Sequence, residues 1–266
     1  MKEHIIPPGA HSILGPSSAD RWINCGGSVL ATKDVVVPES KYAAEGTAAH
    51  TLSEWVRVQN VPAFTFRGQV LKVNGYEFKV GKPMIDGVQT FVDSCAALPG
   101  DAYYEVQVAY DEWVPGGFGT ADDIRLSDGL CVVTDLKFGT GVRVYAHDNT
   151  QMKLYALGAF ATYGWLYEFD KIVLRVCQPR LKHFEKYETT LGKLMQWAYD
   201  EVRPAARRAL QPGAPFKAGN WCKFCKLKDS CVVRSEYKRD FETGSGPGIR
   251  SAATEFDNLE PLGTTL

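Results

Sequence analysis

The sequence contains no run of about 18 consecutive apolar residues, so no segment reads as a membrane-spanning helix. Its opening MKEHIIPPGAHS lacks the apolar stretch of a secretory signal, and a cytoplasmic protein is expected. Charge of neither sign dominates. With 30 Lys+Arg against 31 Asp+Glu the net charge is −1, so any surface attractive to polyanions must be local. A GxxxxGK(S/T) phosphate loop is missing, which excludes a nucleotide-driven motor of that type. The seven cysteines are an odd number, and in a reducing compartment they are expected to be free thiols or metal ligands rather than a disulfide framework. What remains is an ordinary globular composition, 45% hydrophobic and 23% charged over 266 residues, enough for one large domain with a sizeable core.

Periodicity and turn signals give a mixed α/β order. PSSADRWINCGGS predicts a short helix capped by Ser17 or Ser18, stopped by Gly26 and Gly27, with Cys25 at its end. Helices are predicted over Lys41–Gln59, over 84–97 with Met84, Val88, Phe91, Val92 and Cys95 on one face, and from Thr150 to Trp165. Short β-like stretches fall within 63–81, and strands over 103–109, 119–126, 130–137 and 171–177, with a further β-like stretch over 183–189. A helical run from Leu191 to Leu210 should end or kink at Pro204. A cysteine-rich knot occupies 221–231, and the Gly, Ser, Pro and Thr content from 243 predicts a flexible tail, leaving 1–242 as the folded domain.

The Ser-Asp-Gly turn fixes a register. A two-residue type I′ loop at Asp128 and Gly129 pairs Ser127 with Leu130 and, by counting, Ile124 with Val133 and Asp122 with Asp135. One ribbon face then carries Thr120, Asp122, Ile124, Leu126, Cys131, Val133, Asp135 and Lys137, while Asp123 lies on the other beside Arg125. A three-residue loop would exchange Asp122 and Asp123. Two acids directly opposed repel unless a cation lies between them, one stays protonated, or one is a solvated strand end and Lys137 neutralises the other. Asp135 and Lys137, two apart on a strand, face one cleft with the Leu136 carbonyl between them, a pattern suited to a hard metal and an activated water. Gly46 and His50, and Gln151 and Tyr155, each lie four apart on a helix. A lone histidine is more often structural, and a tyrosine beside a glutamine is more often core.

In this order, GTAAH, GTAD, DLKFG and QMKLY resemble the RecB-like branch of the PD-(D/E)XK nucleases over residues 15–232. The resemblance implies a restriction-endonuclease-like core of a mixed sheet flanked by helices, and Mg²⁺- or Mn²⁺-dependent hydrolysis of DNA. It gives metal-ligand roles to His50, Asp122, Asp135 and the Leu136 carbonyl, and catalytic roles to Asp122, Asp135, Lys137, Gln151 and Tyr155. WCKFCKLKDSC supplies Cys222, Cys225 and Cys231, three thiolates from one loop. Similarity to the iron–sulfur subset, shared by AddB and the CRISPR-adaptation nucleases, implies Cys25 as the fourth ligand of a [4Fe–4S] cluster stapling the two ends of the domain. Zinc is the alternative at these four cysteines. Cys95, Cys131 and Cys177 read as core residues. With no helicase segment, the chain is closer to stand-alone phage-type recombination exonucleases. DNA is the implied partner, with a recombination or single-strand-annealing protein beside it. A non-catalytic DNA-binding module and a zinc-containing interaction protein are the rival readings. Arg143, Arg175, Arg180, Lys182, His183 and Lys186 are candidate contacts to the DNA backbone, unless they are merely solvated.

Overall fold

The computed structural model describes residues 12–243; of the tail expected from 243, Thr243 is helical and the rest lies outside the described residues. The described chain contains the short helices α1 (Ala19–Asn24) and α2 (Gly27–Thr32), then α3 (Lys41–Gln59). A hairpin of β1 (Val70–Val73) and β2 (Tyr76–Lys79) leads to α4 (Lys82–Ala96). Next come β3 (Asp101–Ala109), β4 (Phe118–Ser127), β5 (Gly129–Leu136), α5 (Thr150–Tyr163), β6 (Phe169–Gln178) and β7 (His183–Thr190). The described residues end in α6 (Leu191–Trp197), α7 (Arg203–Ala209) and α8 (Val232–Thr243). Strands β3 to β7 form one sheet in sequence order, with β5 and β6 parallel and every other pair antiparallel. This is a mixed α/β architecture with a five-stranded mixed central sheet flanked by helices.

Each face of the sheet is covered because strand side chains alternate. Ile124, Leu126, Cys131, Val133, Ile172, Leu174 and Val176 pack with α5, α6 and α7 in one core. Helix α5 is apolar on nearly every side, burying Met152, Leu154, Tyr155, Leu157 and Ala159, as a helix enclosed by protein must be. On the other face, Leu136 and Cys177 meet Phe91 and Cys95 of α4. The spacing of Met84, Val88, Phe91 and Cys95 makes one buried stripe, and burying a large apolar side chain stabilises by about 1.5–3 kcal/mol. A separate cluster joins α3, the β1–β2 hairpin and α4, with Phe138 at its edge. No helix among the described residues is long and apolar enough to cross a membrane.

Several local expectations change. The β4–β5 register is the counted one, Ser127 to Leu130 through Asp123 to Thr134. Only Gly129 of the turn takes positive φ (83°), however, so the turn is not type I′. Asn74 and Gly75, both at positive φ, supply a turn of that kind between β1 and β2. Ser18 is the N-cap residue of α1, but its hydroxyl donates back to the Gly15 carbonyl instead of capping the helix. The chain turns at Cys25 and restarts as α2 with Gly27, where a Cβ would lie 2.5 Å from the Ala214 carbonyl oxygen. The run expected over Leu191–Leu210 widens into a π turn over Ala198–Val202 one step before Pro204, which then sits in the first turn of α7. The proline has no N–H, and its ring cannot share space with a carbonyl four residues back, so the irregularity precedes it.

Candidate functional site

The α5 face of the sheet becomes polar at one end. Asp122 on β4 and Asp135 at the end of β5 are both buried there. The Leu136 amide donates to Asp122 Oδ2 at 2.6 Å, so the catalytic-candidate strands are joined through a side chain where their ladder ends. Helix α3, capped by the Ser40 side chain, carries His50 over this point. His50 Nδ1 stands 3.2 Å from Asp122 Oδ1 and 3.9 Å from Glu105 Oε1. Ligand atoms of His50, Glu105 and Asp122 all lie within 4.8 Å of one another.

Lys137 reaches the same place from just beyond β5. Its Nζ lies 2.8 Å from Asp135 Oδ2 and donates to Gln151 Oε1 at 3.1 Å. Gln151 Nε2 donates to Asp135 Oδ1 at 3.3 Å and to Tyr155 Oη at 3.2 Å. The structure thus brings together His50, Asp122, Asp135, Lys137, Gln151 and Tyr155. Gly46 is different. A Cβ there would meet nothing within 4 Å among the described residues, so close packing among them does not account for the glycine.

Glu105 was missed by the sequence reading. The pairs on either side, Tyr104 with Asp123 and Val106 with Ala121, set it opposite Asp122. Its φ is +43°, a left-handed conformation costing a non-glycine residue about 1–2 kcal/mol. Its Oε1 is buried without a hydrogen-bond donor. The available signal was an acid in the middle of a strand, between Tyr104 and Val106.

Electrostatics explain how so many acids coexist. Burial opposes charge on His50, but Asp122, Glu105 and Asp135 outweigh it and lift the imidazole to about 9, so the metal-free protein holds it as imidazolium. Burial would raise Asp122, yet His50, Lys137 and the Leu136 amide hold it below the usual carboxylate range. Burial and the Asp122 charge push Glu105 up to about 8 against the pull of His50 and Arg57. Asp135 is also raised, by burial first and then by Asp122, with Lys137 opposing. Lys137 itself is raised because Asp135 and Asp122 overcome its desolvation. Two cationic side chains therefore occupy the place where three acids converge.

Asp123 points the other way. It is fully buried, receives Arg125 Nε at 3.1 Å on Oδ1, and lies 3.6 Å from Arg57 Nη1. Arg57 sits between the Phe91 and Tyr104 rings and donates to the Asp122 carbonyl oxygen at 2.8 Å. His50 and Arg57, two helical turns apart on α3, hold residue 122 by its carboxylate and by its main chain.

Cys25, Cys222, Cys225 and Cys231 all line one small cavity, with Arg21, Lys217, Lys228 and Arg234 around them. The Lys217 amide donates to Cys25 Sγ at 3.3 Å. Burial raises the Cys222 thiol, as does the nearness of the other three cysteines. Cys95, Cys131 and Cys177 are buried in the core, where desolvation raises their thiols to about 12, 12 and 11, the range of inert side chains.

The expected backbone contacts separate. Arg175 lies on the α4 face and donates to the Ser94 carbonyl and the Thr134 hydroxyl, so it is turned away from the acids. Lys186, opposite Arg175 across the β6–β7 pair, is ion-paired with Glu188. Arg180 pairs with Glu45, and His183 meets the Val144 carbonyl oxygen, while Arg143 and Lys182 border the loops. A groove of about 420 Å³, separate from the His50, Glu105 and Asp122 donors, lies by the start of α5, β7 and the π turn. In it Lys153 lies over the Trp197 ring and pairs with Asp148.

A protein-family model described as "Protein of unknown function (DUF2800)" matches residues 11–247. A solved structure titled "Crystal structure of SSO0001" is similar over 87% of this chain and 92% of that chain, at 16% identity and a TM-score of 0.41.

Proposed function

The chain belongs to the DUF2800 family, a family of unknown function, and we propose that it is a metal-dependent deoxyribonuclease of the RecB-like PD-(D/E)XK type. The observation that carries this is the convergence of Asp122, Asp135 and Glu105 with His50 and Lys137, where Glu105 Oε1 is buried without a donor. Buried carboxylates repel unless cations separate them, and this donor set of oxygens and one imidazole suits Mg²⁺ or Mn²⁺. His50, Asp122, Asp135, the Leu136 carbonyl and the added Glu105 would hold the cation. When bound, it supplies Lewis-acid charge to a phosphoryl oxygen and to the attacking water.

The chain's own groups do the rest. Lys137, fixed between Asp135 and Gln151, is placed to orient the attacking water and to donate to the phosphate. Gln151 is held in turn by Tyr155, so these two position Lys137. The reading extends to linear DNA as the substrate class and to an exonuclease role in phage or bacterial recombination and repair, beside a recombination or annealing protein.

The four cysteines would hold a structural [4Fe–4S] cluster. They line one cavity, bordered also by Arg21, Lys217, Lys228 and Arg234. Zinc is the alternative group at the same four thiolates. Anaerobic purification with iron, sulfide and zinc analysis decides between them.

The activity is tested by incubating differently end-labelled linear and circular DNAs with Mg²⁺ or Mn²⁺. Release of labelled nucleotides that stops with a chelator supports the reading. Intact DNA of every form, with a metal-loaded and folded protein, defeats it.

A further inference from the structure

The loop from Phe138 to Asn149 begins beside Lys137 and ends beside Gln151, and those two side chains are hydrogen-bonded at 3.1 Å. Its base is therefore closed by candidate catalytic groups. Its middle is rooted from below. The Gln178 side chain, 1% exposed, accepts from the Val144 amide at 2.8 Å and donates to the Val142 carbonyl at 2.8 Å. In this way one buried amide replaces the strand partner that the loop lacks. His183 Nε2 lies 2.9 Å from the Val144 carbonyl oxygen, which holds the same residue from a second side.

With Val144 pinned inward, the residues on either side of it are both presented to solvent. Arg143 is exposed and Tyr145 is 57% exposed. One edge contact fixes the Tyr145 ring, to His183 at 5.6 Å between centroids with the planes at 77°. Phe184, next along β7, points to the opposite face of the sheet, where it is paired with Cys177, and takes no part in this surface. The acids in this neighbourhood are Glu185, 3.5 Å from His183, and Asp148, paired with Lys153 at the far end of the loop.

We infer that Arg143 and Tyr145 form a contact surface for single-stranded DNA, with the guanidinium on a phosphate and the phenol ring stacked on an unpaired base. This rests on the nuclease reading and adds a preference for a strand whose bases are already unstacked. The pairing of one cation with an exposed ring fits that ligand. A base inside a duplex offers no free face, whereas an unpaired base stacks on an aromatic ring whatever its identity. Guanidinium contacts to phosphate attract either form and weaken with salt.

The test uses the full chain carrying Asp135→Asn, so that bound DNA is not cut, with fluorescence anisotropy of labelled oligonucleotides in Ca²⁺. A single strand should bind at least about tenfold tighter than a blunt duplex of the same sequence. Adding Tyr145→Leu should remove most of that difference while leaving duplex affinity within about twofold. Adding Arg143→Ala should weaken both DNAs and lower the salt slope by about one. Binding of the single strand that neither substitution changes, tighter binding of the blunt duplex, or no DNA binding at all overturns the surface. If DNA binds with the expected dependence but the wild-type chain cuts none, the surface stands and the nuclease reading falls.

Discussion

Asp122 and Asp123 are adjacent acids with opposite fates, and the difference follows from strand alternation. Asp122 faces the cations His50 and Lys137 as well as Glu105 and Asp135, so removing its charge gives up attraction to the first two while relieving repulsion on the other two in the metal-free protein. Asp123 is the buried counter-ion of Arg57 and Arg125, and removing it strands two arginines. Asp123→Ala is therefore expected to destabilise by about 3–5 kcal/mol. Asp122→Ala in metal-free buffer should cost far less. Thermal or urea denaturation of the two variants checks this, and equal losses would contradict the assignment of faces. The His50 and Glu105 shifts make a second prediction. Below about 9 the imidazole carries a proton that Mn²⁺ must displace, and below about 8 Glu105 carries another. Apparent Mn²⁺ affinity should rise with pH, with a slope near one proton between 8 and 9 and a steeper one below 8. Calorimetric titration at several pH values measures it, and a flat profile would remove His50 and Glu105 from the donor set.

The strands and long helices were legible because their patterns are strong. The counted register of β4 and β5 holds because both strands are buried on the α5 face, where a one-residue slip would expose the whole apolar row. The turn type was not legible, since either a type I′ or another two-residue turn gives the same pairing. Glu105 was hidden for a related reason. Its role comes from a long-range pairing with β4 and an unusual φ, neither of which a local pattern encodes. The restart of the chain at Gly27 was also invisible, because the glycine reads as a stop. Its reason is tertiary, as the Ala214 carbonyl and the Phe216 ring fill the space of a side chain. Gly27→Ala should lower stability by about 1–3 kcal/mol through overpacking. Because that contact lies between α2 and the segment leading to Cys222, it should also weaken retention of iron or zinc. A variant that melts like wild type and keeps its metal would contradict the close approach.

Across the whole molecule, the two ends of the described chain meet. Cys25 lies between α1 and α2, and Cys222, Cys225 and Cys231 lie in the segment before α8, yet all four border one cavity. A metal group there would close a loop of nearly the entire sheet and its helices, with a stabilisation of about 4–5 kcal/mol by analogy with disulfides. Cys25→Ser should then release the metal, lower the melting temperature and depress activity together, while Cys131→Ser keeps the metal content whatever it does to packing. Full iron content in Cys25→Ser would break that link. The central claim concerns the acidic site, and the most direct measurement of it is the Mn²⁺-dependent cleavage rate of end-labelled linear DNA by wild type beside Lys137→Ala. Wild-type cleavage abolished by chelator, with a loss of at least about a hundredfold in a variant that melts normally, is the predicted result. Equal rates for the two proteins, or cleavage indifferent to chelator, would contradict it.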